Sequence, residues 1–131
     1  MLKSIPTRFF ATSAVFALIG MIWGIQMSIS HNHTLSPAHA HLNLIGFVIM
    51  AVYGVYYALT PAAGASRAAG IHYWLTFAAV VVMTPGIALA ITENGEAPAA
   101  IGSILALISM GMFLRVILRH GVGALHAGTT P

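Results

Sequence analysis

Four stretches of this chain, 8–30, 38–60, 71–92 and 98–119, are apolar over the length of about 20 helical residues that crossing a hydrocarbon core requires. The segments between them, HNHTLSP, PAAGASRAAG and ENGEA, are short and carry Pro and Gly as breaks. Short connections predict antiparallel neighbours. Composition agrees: with 59% hydrophobic and 5% charged positions in 131 residues, there are too few polar groups to cover a soluble globule. The expected fold class is an all-α membrane protein, one four-helix transmembrane domain over 1–131 with a short tail at 120–131.

Several classes are excluded by what the chain lacks. There is no cysteine, so disulfides, thiolate metal sites, iron–sulfur clusters and covalent c-type haem attachment are ruled out. The five basic residues, Lys3, Arg8, Arg67, Arg115 and Arg119, are scattered and form no nucleic-acid patch. Between the interfaces the spans contain no Asp, Glu, Lys or Arg, which argues against an ion pathway through one chain. The first span follows Lys3 and Arg8, and Ala38-His39-Ala40 imitates a signal-peptide cleavage site. The apolar run is too long and that site too distant, so the segment is read as a helix.

Charge sets the expected orientation. Both termini and the second loop share one side of a four-span protein, and that side holds all five Lys and Arg; Glu93 and Glu96 lie in the third loop on the other. This places both termini in the cytoplasm of a bacterial inner (plasma) membrane. His31, His33, His39 and His41 then converge on the outer side. His72, beside Tyr73 and Trp74, reads as an interfacial anchor, and His120 and His126 fall in the tail without assigned chemistry. The methionines within the spans are spread over four helices and suit packing rather than thioether ligation. Gly20-x-x-x-Gly24 permits close helix contact. Pro85 and Gly86 predict a kink in the third helix, with Thr84 satisfying the freed carbonyl.

The chemistry concentrates in Ala38-His39-Ala40-His41-Leu42-Asn43-Leu44. At about 100° per residue, His39 and His41 point about 200° apart and face two different places. The face of His39 continues through Asn43, Gly46, Met50, Tyr53 and Tyr57, offering a small residue where a flat ligand can approach the backbone. The face of His41 continues through Ile45, Val48, Val52 and Val55 as an apolar wall. Spacing alone leaves the ligand open: four neutral imidazoles on one side suit Cu(II) or Zn(II), with His31 and His33 as the alternative ligands, and two from opposite directions suit haem iron.

The run from Ala38 through Tyr57 resembles the haem-ligating helix of the haem–copper oxidase and nitric oxide reductase catalytic subunit superfamily. In that family a helix carries H-x-H near the outer side, each histidine ligating a different haem, in a subunit of twelve helices arranged as three arcs of four. The resemblance implies that this chain corresponds to one arc and that three copies form a ring. His39 and His41 would then be axial ligands of b-type haem iron, with each haem between two protomers and Asn43, Gly46 and Met50 lining the site. No second helix supplies the three further histidines of a copper centre, and no outer arginine pair holds propionates, leaving Asn32, Thr34, His31 and His33 to substitute. The expected role is electron transfer or redox sensing within the bilayer, with a redox partner or respiratory subunit, and not oxygen or nitric oxide reduction by this chain alone. The rival readings are a copper- or zinc-binding membrane protein and a structural small subunit of a respiratory complex.

Overall fold

The computed structural model of the chain describes residues 4–124. Lys3 and His126 therefore lie outside the described residues. Every element within them is helical, and four helices are long and apolar enough to cross a membrane: α1 (Ile5–Ser30), α2 (Ser36–Leu59), α3 (Arg67–Ile91) and α4 (Ala97–His120). A helical turn at Pro61–Gly64 leads from α2 towards α3.

Helix starts follow from capping. Ser4 accepts the Thr7 N–H through its hydroxyl, and Ser66 accepts that of Ala69, which satisfies one orphan donor at the head of α1 and one at the head of α3. The caps begin α1 at Ile5 and α3 at Arg67, earlier than hydropathy alone suggests. Pro37 and Pro98 open α2 and α4, where a missing N–H leaves nothing unsatisfied. Thr60 leaves helical geometry at the end of α2, as a residue before proline tends to do.

The buried seams carry a repeat. In α3 the positions Ala69, His72, Thr76, Ala79, Met83 and Gly86 are all buried and alternate steps of three and four; in α4, Gly102, Ser109 and Val116 are buried at intervals of seven. This is the spacing of helices packed along a shared stripe. The two stripes meet as a ladder. His72 stacks on Phe113, Thr76 bonds Ser109 at 2.6 Å, and Gly102 lies against the backbone of Met83 and Gly86 against that of Pro98 and Ala99. A side-chain carbon at Gly86 or Gly102 would sit 2.5 Å from the facing backbone, so only glycine allows this approach.

The second helix departs from α geometry. Leu42–Ile49 is a π-helix, flanked by α-helical Ser36–His41 and Met50–Leu59. Its buried residues Ala38, Leu42, Gly46 and Met50 come every four residues before the three–four pattern resumes at Tyr53 and Tyr57. Three four-residue steps drift about 120° around an α-helix. The wider π turn removes that drift and keeps one side of α2 against the bundle.

His72 is not an interfacial anchor. Its side chain is fully buried, enclosed by Phe9, Tyr53, Tyr57 and Phe113, and its Nδ1 pairs with the Tyr57 hydroxyl at 2.9 Å. Trp74, two residues on, is the exposed ring at 59%. His72 Nε2 has no hydrogen-bond partner, nor has the Thr84 hydroxyl, so Thr84 does not satisfy a carbonyl freed by Pro85. The bonds from Tyr56 to the Gly121 carbonyl and from the Gly123 N–H to Thr60 hold the first residues after α4 against the end of α2.

Truncating His72 leaves a cavity and an unpaired Tyr57 hydroxyl. His72→Ala should cost about 2–4 kcal/mol, as other large-to-small core changes that break a buried hydrogen bond do. His72→Phe fills the aromatic enclosure and removes the orphaned nitrogen, so its loss should be smaller. Thermal unfolding in detergent, followed by tryptophan fluorescence, checks the order of the two variants.

Candidate functional site

The loop between α1 and α2 is built by local side-chain bonds. His31 ends α1 in the left-handed region at φ 52°, a conformation that histidine tolerates better than bulky residues. Asn32 donates its backbone N–H to the Ser30 hydroxyl and accepts that of Thr34 on its carboxamide, turning the chain towards Ser36. His31 and His33 are both exposed on this turn. His31 thus has a structural position as a helix cap.

His39 and His41 diverge, as their spacing predicts. His39 is half-buried and faces α1: its ring stands edge-on to Trp23, with centroids 5.9 Å apart, and lies over Gly24. A side-chain carbon at Gly24 would be 3.2 Å from His39 Cε1, so the glycine makes room for the imidazole. One turn further in, Asn43 packs onto Gly20 so closely that any side chain at Gly20 would collide with its carboxamide. The Asn43 amide donates to the His39 carbonyl at 2.9 Å and lies 3.2 Å from Nε2 and 3.4 Å from Nδ1. An amide N–H that donates to one ring nitrogen takes the ring's lone pair and leaves the other nitrogen as N–H, so ligation by His39 requires the Asn43 amide to keep only its bond to the His39 carbonyl. Gly20-x-x-x-Gly24 is therefore the surface on which His39 and Asn43 are seated.

Beside them runs a groove of about 650 Å³, open along one side and lined by Gly20, Met21, Gly24, Ser28, His39 and Asn43 among others. Its floor is glycine and its wall includes one imidazole. The groove is shallow, closer to an open face than to an enclosed cavity, and its small residues let a flat ligand approach the backbone.

His41 is exposed on another side, above the exposed apolar residues Leu44, Val48, Val52 and Val55. Its Nδ1 lies 2.8 Å from the Pro37 carbonyl oxygen. A carbonyl only accepts, so Nδ1 carries the proton and Nε2 is the ring nitrogen left to meet a ligand. Fixing one ring nitrogen on a backbone carbonyl is how metal-ligating histidines are commonly oriented.

Two of the residues expected beside His39 lie elsewhere. Gly46 is buried under Phe16 and Val80, and Met50 is fully buried, so both belong to the packing of the protomer and line no open face. Gly20 and Gly24 provide the small surface instead. Among the described residues no three His, Cys, Asp or Glu side chains gather into a group able to hold a metal ion. His31, His33, His39 and His41 share one end of the bundle without forming a single cluster.

The close seating of α2 on α1 can be tested directly. Gly20→Ala should destabilise the fold by about 1–3 kcal/mol, because the added carbon meets Asn43. Gly111→Ala, with nothing within 4 Å of the new carbon, should stay within about 0.5 kcal/mol of the parent protein. Parallel melts of the two variants measure the difference.

No protein-family model matches the chain, and no curated protein or solved structure matches it. The resemblance carried by H-x-H therefore rests on the residues themselves.

Proposed function

We propose that this chain is an integral membrane protein that binds b-type haem through His39 and His41 and serves electron transfer or redox sensing, as a single-arc relative of the haem–copper oxidase catalytic subunit. The observation that carries the reading is the opposed presentation of two imidazoles one residue apart. His41 offers Nε2 from a ring fixed on Pro37, and His39 opens onto a glycine-floored groove. The chemistry of this donor set fits haem iron, which takes two neutral imidazoles from opposite directions. The alternative, a copper or zinc site, would need three or four of the ligands in one place and would likewise have to be completed across chains, since no such group forms among the described residues of one.

One protomer cannot close a site between imidazoles that point apart. Each haem would join His39 of one chain to His41 of a neighbour, and such a heterologous contact must close into a ring or run on as a filament. Three chains with antiparallel neighbouring helices complete a ring of twelve. Bis-imidazole haem supplies one-electron exchange and leaves no open coordination position for a substrate, so the reading is not that of an oxygen or nitric oxide reductase. Asn43 would stay bonded to the His39 carbonyl while the ring turns its lone pair to the iron, and Gly20 and Gly24 would leave room beside it. The hydroxyl and amide groups of Thr34 and Asn32, with His31 and His33, stand at this end of the bundle to meet propionates.

The purified protein should show a Soret band with sharp reduced α and β bands. His39→Ala and His41→Ala should each lose the six-coordinate spectrum, because metal, ligand and assembly form one unit. His31→Ala, His33→Ala and His120→Ala should keep it. A colourless protein, or a spectrum that survives both His39→Ala and His41→Ala, would contradict the reading.

Both termini should be cytoplasmic, by the loop charge rule. Cysteine introduced at Asn32 should label with an impermeant maleimide in intact cells, and cysteine at Ser66 should not. Labelling at 66 alone would invert the topology and put the histidines inside.

A further inference from the structure

A second groove, of about 780 Å³, opens between α3 and α4 at the end of the bundle away from His39 and His41. Its rim is basic, formed by Arg67, Arg115, Arg119 and His120 with the Ser66 hydroxyl beside them; its depth is apolar, formed by Ala68, Ile71, Ile108 and Met112. Ile71 and Ile108 are 54% and 52% exposed, so the apolar part faces outward. Gly111 lines the groove with nothing within 4 Å of where a side chain would start. The origin of the groove lies in the α3–α4 ladder. Gly86 and Gly102 draw the two backbones together at one end, whereas the stacked rings of His72 and Phe113 stand between the helices at the other.

The three guanidinium groups lack acidic partners within the chain's side chains. Its only carboxylate side chains, Glu93 and Glu96, lie beyond the far end of α3, about 35 Å away along a helix of 25 residues. A second copy lying side by side would bring no carboxylate side chain to this level either. What the rim complements is a phosphate, which arginine binds by paired charge-assisted hydrogen bonds. What the depth complements is hydrocarbon. Basic crevices between membrane helices are suited to anionic headgroups.

We propose that the α3–α4 groove is a binding site for an anionic glycerophospholipid, with the phosphate held by Arg67, Arg115 and Arg119 and an acyl chain laid over Gly111 between Ile71 and Ile108. This rests on the membrane reading of the four helices and is independent of haem.

The test uses the full chain purified in mild detergent, incubated with equal amounts of phosphatidylglycerol and phosphatidylcholine of the same acyl composition, and read by native mass spectrometry. Phosphatidylglycerol should be retained in about tenfold or greater preference, as expected for two or more arginines acting on one charge. Arg115→Gln/Arg119→Gln should abolish the preference. Gly111→Leu, which fills the apolar part and keeps every charge, should reduce retention of both lipids. Arg8→Gln, a charge removed outside the groove, should change neither. Equal retention of the two lipids, a preference untouched by Arg115→Gln/Arg119→Gln, or retention untouched by Gly111→Leu would overturn the proposal. So would displacement of the lipid by excess inorganic phosphate, which would make the site one for a soluble anion, or a change of oligomeric state without a change in bound lipid, which would make the groove an interface between copies. Should the double arginine variant not fold, Gly111→Leu decides alone. A chain that stays soluble without detergent would instead fail the membrane reading and is recognised before any lipid is added.

Discussion

The approach of α2 onto the Gly20 and Gly24 face of α1 is the contact on which the half of this molecule that carries His39 and His41 depends. Helices in a bilayer gain no hydrophobic drive from meeting each other, since lipid is as apolar as their side chains; close packing has to supply the affinity. Two glycines one turn apart let Asn43 and His39 sink into α1, where larger residues would hold the helices apart. His39 is thereby oriented by Trp23 on one side and the Asn43 amide on the other. The π-helical stretch serves the same contact. It keeps Ala38, Leu42, Gly46 and Met50 on one side of α2 through three four-residue steps, and it begins immediately after His41.

The two ends of the bundle differ in kind. At the end where α1 begins, aromatic rings of Phe9, Tyr53, Tyr57 and Phe113 close around His72, and hydroxyl pairs such as Thr12 with Tyr73 and Thr76 with Ser109 tie helices together. These hydroxyls are spent on one another within the bundle, while Arg67, Arg115 and Arg119 stand around the groove at its rim. At the other end the polar groups are turned outward: His31, His33 and His41 are exposed, and an open groove lies beside His39.

Much of this was legible in the residues. Four spans follow from apolar length, and the divergence of His39 from His41 follows from their spacing in α-helical Ser36–His41. The helix starts needed one more clue, the serine caps Ser4 and Ser66, which hydropathy does not weigh. The π segment is invisible to an apolar window, though small and apolar residues every four positions at Ala38, Leu42, Gly46 and Met50 carry its trace. Reading the His39 face as continuously α-helical is what made Gly46 and Met50 look available; the inward turn of that face buries them. His72 was obscured by its neighbours Tyr73 and Trp74. The three–four repeat of Ala69, His72, Thr76, Ala79 and Met83 assigns it to the buried seam. The basic groove is not legible in the sequence, because Arg67 and Arg115 are far apart along the chain and are brought to one groove only by the α3–α4 ladder.

The central claim is that H-x-H shares its two ligands between neighbouring chains. Co-expression of His39→Ala and His41→Ala chains carrying different tags measures this directly. In a randomly mixed ring about one interface in four brings an intact His39 against an intact His41. Complexes isolated through both tags in succession should therefore regain part of the haem absorbance that neither variant shows alone. Absorbance that stays absent from the doubly tagged complexes, with the parent protein loaded under the same conditions, would contradict a site built across protomers.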